Sequence, residues 1–200
     1  MKHNKTVSEE HTAQVVRVDD IKDERIISVL QAEGLSVDAT RRLCREIDYQ
    51  DKNGKISRGY GMQNISGGHS IITIAKATIN IGVGDIAVIK GDGADLTTCL
   101  LFAGLRDYLA YHTLYGNTHC DTLIMFSTAL AKKAARYISS HGYEQIIYYA
   151  PNSTGKTKSM PILRKTGIMI WDMSPAYAGY KDLRKYCTAW MANLNKHKKS

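Results

Sequence analysis

The chain has 200 residues, of which 44% are hydrophobic and 23% are charged. This length suits one α/β domain with a small attached lobe, and it excludes two large domains. No apolar run reaches the roughly 18 to 20 residues that a membrane-spanning helix needs. The first 14 residues lack the apolar core of a secretory signal. We therefore expect a cytoplasmic protein without membrane attachment.

The net charge of +8 is concentrated in the last quarter of the chain. Residues 151–200 contain 10 Lys/Arg and 2 Asp/Glu, whereas residues 1–150 contain 17 of each. Such a one-sided excess is typical of a protein that binds a polyanion. We therefore expect a nucleic acid, DNA or RNA, as the partner. A merely solvated basic face is the alternative.

Four cysteines lie at positions 44, 99, 120 and 187, with no Cys-x-x-Cys pair among them. This spacing excludes a local zinc ribbon and gives no disulfide framework. His119, Cys120 and Asp121 are residues of metal-ligating type, but three consecutive side chains cannot all point at one ion. We expect no metal site and no resident cofactor, with Mg²⁺ as the alternative taken up below.

The first third of the sequence predicts a flexible arm followed by a small α+β lobe. Residues 1–22 are polar without a clear period and form the predicted arm. Two helices follow, one in DERIISVLQAEGL that ends at Gly34 and one in SVDATRRLCREI that is capped by Ser36. The pattern then changes to a hairpin centred on Asn53-Gly54 and to two strands, ISRGYGMQN and HSIITIAKATI. The lobe is assigned to residues 23–84.

From residue 85 to 195 the pattern alternates between strand and helix. The predicted strands are 85–90, 97–102, 121–126, 145–149 and 167–171, and the predicted helices are 104–116, 127–142, one from about Ser159 with Pro161 in its first turn, and 180–195. This alternation predicts a parallel sheet with helices on both faces. Sites in such sheets form beyond the carboxyl ends of the strands, where Ala103, Ala150 and Asp172 lie. A basic tail, 196–200, follows.

Four segments resemble the Toprim-containing, primase-like proteins of bacterial mobile elements. LLFAGLRDYLAY resembles the first Toprim motif, a strand followed by Glu-Gly-x-x-Asp, and IIYYAPNSTG resembles the second, a strand ending in Asp-x-Asp-x-x-Gly. WDMSPAYAGYKDLRKYC and GYGMQNISGGHSI resemble the segments that end and precede the domain in those proteins. The likeness covers about residues 25–194. It implies an α/β Toprim-like domain and raises a replication or mobilisation protein as a partner.

This chain departs from the family at its acidic positions. The Toprim glutamate position is Ala103, and the two aspartates of the second motif are Ala150 and Asn152. The matching residues that survive are Gly104, Asp107, Gly155, Asp172 and Asp182. By resemblance, the family's acids hold Mg²⁺, which prefers anionic oxygen ligands. The losses predict a catalytically degenerate protein. The alternative is a Mg²⁺-dependent nucleotidyl transferase or nuclease that uses the residual acids.

Loss of three acids leaves basic residues near the predicted strand ends. Lys156 and Lys158 follow the second motif, in a loop whose backbone N–H groups we expect to face outward toward an anion. The predicted phosphate-binding set is Lys90, Arg106, Lys156, Lys158, Arg164, Lys165 and Lys181. The hypothesis is that a former metal site now holds the phosphate of a nucleic acid.

Two other interpretations stay open at this stage. Ala150-x4-Gly155-Lys156-Thr157 meets a relaxed phosphate-loop pattern after a strand, which would make the chain a nucleotide binder. Against it, the first glycine is replaced, Pro161 interrupts the expected helix, and only 44 residues follow Lys156. A purely structural partner-binding module is the other possibility. It would expose the helix that carries Tyr108, Tyr111 and Tyr115, for which core packing is the simpler role.

Overall fold

The computed structural model describes residues 13–197, which contain two five-stranded sheets. The first sheet is antiparallel throughout, with neighbours in chain order. Its strands are β1 (Gln14–Asp19), β2 (Arg45–Gln50), β3 (Ile56–Gln63), β4 (His69–Thr73) and β5 (Thr78–Ile81). Tight turns join β2 to β3 and β3 to β4. They contain Gly54 and Gly67, each at a φ of 81°, a conformation that favours glycine.

Two short helices cover one face of this sheet. Helix α1 (Glu24–Ala32) is capped by Asp23, whose Oδ1 accepts the Arg25 N–H at 2.8 Å. Helix α2 (Val37–Leu43) is capped by Ser36, whose Oγ accepts the Ala39 N–H at 3.1 Å. Both caps satisfy backbone donors that have no partner inside the helix.

The lobe differs from the sequence prediction in three places. The predicted strand HSIITIAKATI (69–79) is two antiparallel strands, β4 and β5, joined by a turn over residues 74–77 in which Lys76 has a φ of 64°. Residues 14–19, assigned to the flexible arm, form β1 because they pair with β2. This pairing depends on a distant strand, so the local sequence pattern does not reveal it. Residues 1–12 of that predicted arm lie outside the described residues. The second predicted helix is also too long, since it ends at Leu43 and Cys44 is extended. Ile47 therefore lies in β2, opposite Gly59 of β3.

The second sheet has the order β10-β9-β7-β8-β6. Its strands are β6 (Ala87–Ile89), β7 (Asp95–Phe102), β8 (Cys120–Ile124), β9 (Gln145–Tyr149) and β10 (Met169–Asp172). Four helices pack on it: α3 (Leu105–Tyr115), α4 (Ala131–Ser140), α5 (Thr154–Arg164) and α6 (Leu183–His197). Short 3₁₀ turns precede α4 and follow β10. This arrangement confirms the predicted α/β class with helices on both faces of a sheet that contains parallel strands.

Two details of the second sheet correct the sequence prediction. β6 runs antiparallel to β8, so it does not share the direction of the four parallel strands. Helix α5 begins at Thr154, five residues before the predicted start, because the Ser153 side chain accepts the Gly155 N–H and caps it. Pro161 consequently lies inside the helix. It removes one hydrogen bond, to the carbonyl of Thr157, whose side chain is exposed to water.

Among the described residues, three apolar clusters form the core. The largest joins the lobe to one face of the second sheet and contains Leu30 and Tyr60 together with Phe102, Tyr108 and Leu183. The second lies on the opposite face, between the sheet and α4 and α5. The third covers the other face of the antiparallel sheet. Of the predicted basic tail, residues 196 and 197 belong to α6 and the remaining three lie outside the described residues.

No helix within residues 13–197 is both long enough and apolar enough to cross a membrane.

Candidate nucleic-acid interface

The carboxyl ends of β7 and β9 lie side by side, because Phe102 pairs with Tyr149 in a parallel register. Ala103 and Ala150 therefore occupy adjacent positions at this edge, as the sequence predicted. We call this edge, with the residues that follow β7, β9 and β10, the strand-edge cleft. Both methyl groups belong to the buried cluster beneath α4 and α5. The Toprim resemblance would place carboxylates at these two positions. In this chain they hold methyl groups that are buried away from water.

Asn152 has a structural role at the mouth of the cleft. Its Nδ2 donates to three backbone carbonyls, those of Ser174 at 3.2 Å, Tyr177 at 3.3 Å and Tyr180 at 3.0 Å. Its backbone N–H donates to the Lys181 carbonyl at 2.7 Å. Tyr177 adds a bond from its hydroxyl to the Ala150 carbonyl, also at 2.7 Å. Asn152 thus ties the segment between β10 and α6 to the end of β9.

Asp107, in the first turn of α3, is buried and accepts the Arg184 N–H at 3.1 Å. Burial, reinforced by the nearby Asp182 carboxylate, raises the pKa of Asp107 to about 7. Gly104 forms the adjoining N-cap position, and a Cβ there would lie 3.6 Å from Asp107 Oδ2. Asp182 accepts the Lys185 N–H at 2.8 Å and so satisfies a donor at the start of α6.

Lys156 and Asp172 face each other across the cleft. Lys156 Nζ lies 3.3 Å from Asp172 Oδ2 and 2.7 Å from Ser174 Oγ. Burial by itself would raise the pKa of Asp172, but the hydrogen bonds from Ser174 and Lys156 outweigh it and leave the pKa below its ordinary value. The lysine charge that the sequence assigned to a phosphate is therefore engaged by the protein's own carboxylate.

The loop between β9 and α5 uses its own backbone donors. The Ser153 N–H bonds to the Pro151 carbonyl at 2.9 Å, and the Lys156 N–H bonds to the Ser153 carbonyl at 3.0 Å. Gly155 packs closely on the turn before α4, since a Cβ there would lie 3.1 Å from a methyl group of Thr128. This differs from the expected outward-facing anion loop, because donors that would bind a phosphate are already hydrogen-bonded. The same geometry weakens the phosphate-loop interpretation.

Two predicted basic residues point away from the cleft. Lys90 follows β6, whose antiparallel direction places it at the amino edge of the parallel strands, 2.6 Å from Asp121. Arg106 turns toward the lobe, where it bonds to the Lys76 carbonyl and lies 3.6 Å from the buried Glu33. The sequence could not show either placement, because both depend on strand direction and on packing between distant segments.

The remaining predicted basic residues are exposed but are not all together. Arg164 and Lys165 end α5 and lead into the start of β10, so they lie toward the amino edge of the sheet. Lys158 is exposed on the first half of α5, and Lys181 lies directly before α6 beside the cleft. Only Lys156, Lys158 and Lys181 of the predicted set are therefore near the carboxyl edge.

The sequence interpretation overlooked a surface next to the cleft that is formed by the start of α6. The Tyr180 and Tyr186 rings lie 5.5 Å apart, and the Tyr186 and Trp190 rings lie 6.1 Å apart. Lys181 and Lys185, which adjoin Tyr180 and Tyr186 in the chain, are exposed. We call these five residues the α6 aromatic face. The i, i+4 spacing of Tyr186 and Trp190 was the signal that could have indicated it.

The residues of the strand-edge cleft do not fit a magnesium ion. Ala103 and Ala150 offer methyl groups, Asp172 is paired with Lys156, and the Asn152 side chain donates its N–H groups to carbonyls. Within the part of the chain that the structure describes, no group of three or more His, Cys, Asp and Glu side chains converges as a metal site would require. The carboxylates nearest the cleft, Asp107 and Asp182, serve backbone donors instead.

Comparisons with known proteins support the fold and say little about the site. No protein-family model matches the chain, and no curated protein matches it significantly. The primase fragment of the bacteriophage T7 primase-helicase has a similar structure, with a TM-score of 0.53 and 14% identity over 96% of this chain and 80% of that one.

A second similar structure contains bacteriophage T7 lagging-strand DNA polymerase interacting with primase domains bound to an RNA/DNA hybrid and dTTP. It matches with a TM-score of 0.55 and 14% identity over 92% of this chain and 88% of that one. The chain therefore has a primase-like fold. At this identity the likeness describes the arrangement of helices and strands, and the function has to be argued from the residues of this chain.

Proposed function

We propose that this chain is a nucleic-acid-binding protein with a primase-like fold, in which the Toprim catalytic centre is degenerate. It would act as an accessory protein of a mobile element, in the replication or mobilisation context that the sequence resemblance implies. The observation that carries the proposal is the contrast between paired and unpaired lysines. Lys156 is engaged within the cleft, whereas Lys158, Lys181 and Lys185 are exposed with no ion-pair partner among the described residues.

Unpaired lysines favour a polyanion partner for an electrostatic reason. Each lysine that neutralises a phosphate releases a condensed counterion, so the affinity gained is large at low salt and falls as salt rises. Residues 151–200, which contribute these lysines, contain 10 basic and only 2 acidic residues. Both acids in this segment already have partners, Asp172 with Lys156 and Asp182 with Lys185 N–H. A backbone hydrogen bond leaves the negative charge of Asp182 in place, so the segment is net positive because its basic residues outnumber its two acids.

The similar structures support a nucleic-acid partner by analogy of fold. One of them contains primase domains bound to an RNA/DNA hybrid and dTTP. Because metal ligands are missing from the cleft of this chain, the proposal keeps the binding of nucleic acid and omits the nucleotidyl transfer. The acidic positions replaced by Ala103, Ala150 and Asn152 are the reason for that choice.

Fluorescence anisotropy of a labelled oligonucleotide tests this proposal. The wild-type chain should bind at low salt, with an affinity that falls as salt rises. The K181A/K185A variant should bind more weakly and should flatten the slope of log affinity against log salt by about 1 to 2, as expected when two phosphate contacts are lost.

The matched control is K52A/K55A, which removes two exposed lysines from the turn between β2 and β3 and so makes the same change in net charge. It should retain the wild-type slope. Equal losses in the two double variants would show that only net charge matters and would contradict a defined interface. The absence of salt-dependent binding by the wild type would reject the function itself.

A further inference from the structure

We infer that the groove between α4 and α5 is a docking surface for an acidic amphipathic helix of a protein partner. We call it the α4–α5 groove. It is lined by Ala135, Arg136 and Ser139 of α4 and by Ile162 and Lys165 at the end of α5, and its volume is about 310 Å³. The inference goes beyond the proposed function, because α4 and α5 pack on the face of the second sheet opposite α6.

The charge around the groove is the first observation. Residues 122–171, which include α4, β9 and α5, contain seven Lys/Arg and one Asp/Glu. Two of the seven are paired with carboxylates. Lys132, Arg136 and Lys165 are exposed, and they have no ion-pair partner within residues 13–197. Both helices therefore border the groove with positive charge that the fold does not use.

The floor of the groove is the second observation. Ala135 and Ile162 form it, and both are only partly buried. Their neighbours Ala134 and Leu163 point into the core, so the floor is apolar surface that the fold leaves uncovered. Ala135 and Ser139 are one turn apart, and such small side chains allow another helix to approach closely. Helix α4 has ten residues, a length of roughly 15 Å, which matches almost three turns of a docked helix.

The basic rims and the apolar floor together select the occupant. A helix with glutamates on both sides of an apolar stripe would cover Ala135 and Ile162 with that stripe, and its carboxylates would meet Arg136 and Lys165. A nucleic acid would use the rims alone, since none of the described residues that line the groove is an aromatic ring on which a base could stack. A second copy of this chain would bring a further net charge of +8 and would be repelled.

A synthetic peptide tests the inference. The probe is a blocked, fluorescently labelled helix of about 14 residues, with leucines along one face and glutamates on both sides of them. It should bind the full chain saturably in an anisotropy titration at low salt. A scrambled peptide of the same composition, in which leucine and glutamate do not segregate, should bind about tenfold or more weakly, because it cannot use floor and rims at once.

Two variants place the peptide in the groove. R136A/K165A removes one charge from each rim and should weaken binding of the probe by about 3- to 10-fold. K52A/K55A makes the same change in net charge at a distant turn and should bind as the wild type does. A135E keeps a good helix former in α4 but puts a carboxylate on the floor, and it should weaken binding by about tenfold or more. Melting temperatures check that each variant is folded.

Equal binding of the scrambled and the segregated peptide would overturn the inference, because net charge alone would then attract them. Equal losses in R136A/K165A and K52A/K55A would overturn it for the same reason.

The oligonucleotide titration separates this inference from the proposed function. The inference predicts that K181A/K185A still binds the peptide and that R136A/K165A binds the oligonucleotide as K52A/K55A does. If R136A/K165A loses the oligonucleotide and the peptide does not bind the wild type, the groove contacts nucleic acid and the inference is wrong. Binding of the peptide without binding of the oligonucleotide would support the inference and reject the proposed function.

Discussion

The strand-edge cleft and the α6 aromatic face lie next to each other, but they use their polar groups in opposite ways. In the cleft, Lys156 pairs with Asp172 and Ser174, and Asn152 donates to three carbonyls. On the α6 aromatic face, Lys181 and Lys185 have no ion-pair partner among the described residues, and Trp190 is half exposed. The cleft therefore stabilises the fold, and the face is available to a ligand.

This difference shows why the location of a charge in the sequence is a poor guide to its role. Lys156 and Lys185 occupy equivalent positions, each in the first turn of a helix that follows a parallel strand. Only their surroundings distinguish them, because a carboxylate and a hydroxyl meet Lys156 and neither meets Lys185.

Placing an acid in the cleft should have the largest effect on stability. Ala150 is fully buried among apolar residues, so A150D places a carboxylate in a dry core without a partner. We expect a loss of about 3 to 5 kcal/mol in the free energy of unfolding, measured by urea denaturation at pH 7.5. A75D, in the exposed turn between β4 and β5, is the matched control and should change stability by about 0.5 kcal/mol or less.

Removal of the Asn152 amide should have the next largest effect. N152A leaves the carbonyls of the segment between β10 and α6 without their donor and should destabilise the protein by about 2 kcal/mol. N152D should be worse than N152A, because a carboxylate would face three carbonyl oxygens. N117A, at an exposed asparagine, is the control. If N152D were as stable as the wild type, the Asn152 amide would not hold the segment between β10 and α6.

The raised pKa of Asp107 predicts that the stability of the protein depends on pH. Its pKa is raised from 3.8 to about 7, so the folded state binds more protons than the unfolded state between these values. Stability therefore falls as pH rises through this window and levels off above it. D107N removes this titration and should gain about 1 to 4 kcal/mol relative to the wild type between pH 4.5 and pH 8.

Urea denaturation of both proteins at the two pH values measures the effect, because the difference between them cancels the titration of other groups. A constant difference between D107N and the wild type would show that the Asp107 carboxyl is not held in its protonated form by burial.

Much of the fold could be predicted from the sequence because strand-helix alternation is a local signal. The order of elements from β7 onward follows directly from apolar runs such as the one ending at Phe102. The direction of β6 and the existence of β1 could not be predicted, since both depend on pairing with distant strands. At the site, the positions of Ala103 and Ala150 followed from strand ends, whereas the partners of Lys156 required tertiary structure.

Magnesium should have the smallest effect. Because the cleft lacks a converging acidic set, millimolar Mg²⁺ should shift the melting temperature by about 1 °C or less relative to EDTA in a thermal-shift assay. D107N/D182N is the comparison variant, and it should respond to the ion as the wild type does. A saturable stabilisation at sub-millimolar Mg²⁺ that disappears in D107N/D182N would revive the alternative of an enzyme using residual acids.

The central claim is that nucleic acid binds the α6 aromatic face and not the strand-edge cleft, and K156A and K185A test it most directly. Each variant removes one positive charge from the first turn of a helix. In an anisotropy titration of the same labelled oligonucleotide at fixed salt, K185A should weaken binding by about fivefold. K156A should change it by less than about twofold, since that charge is already paired. A larger loss in K156A than in K185A would contradict the account.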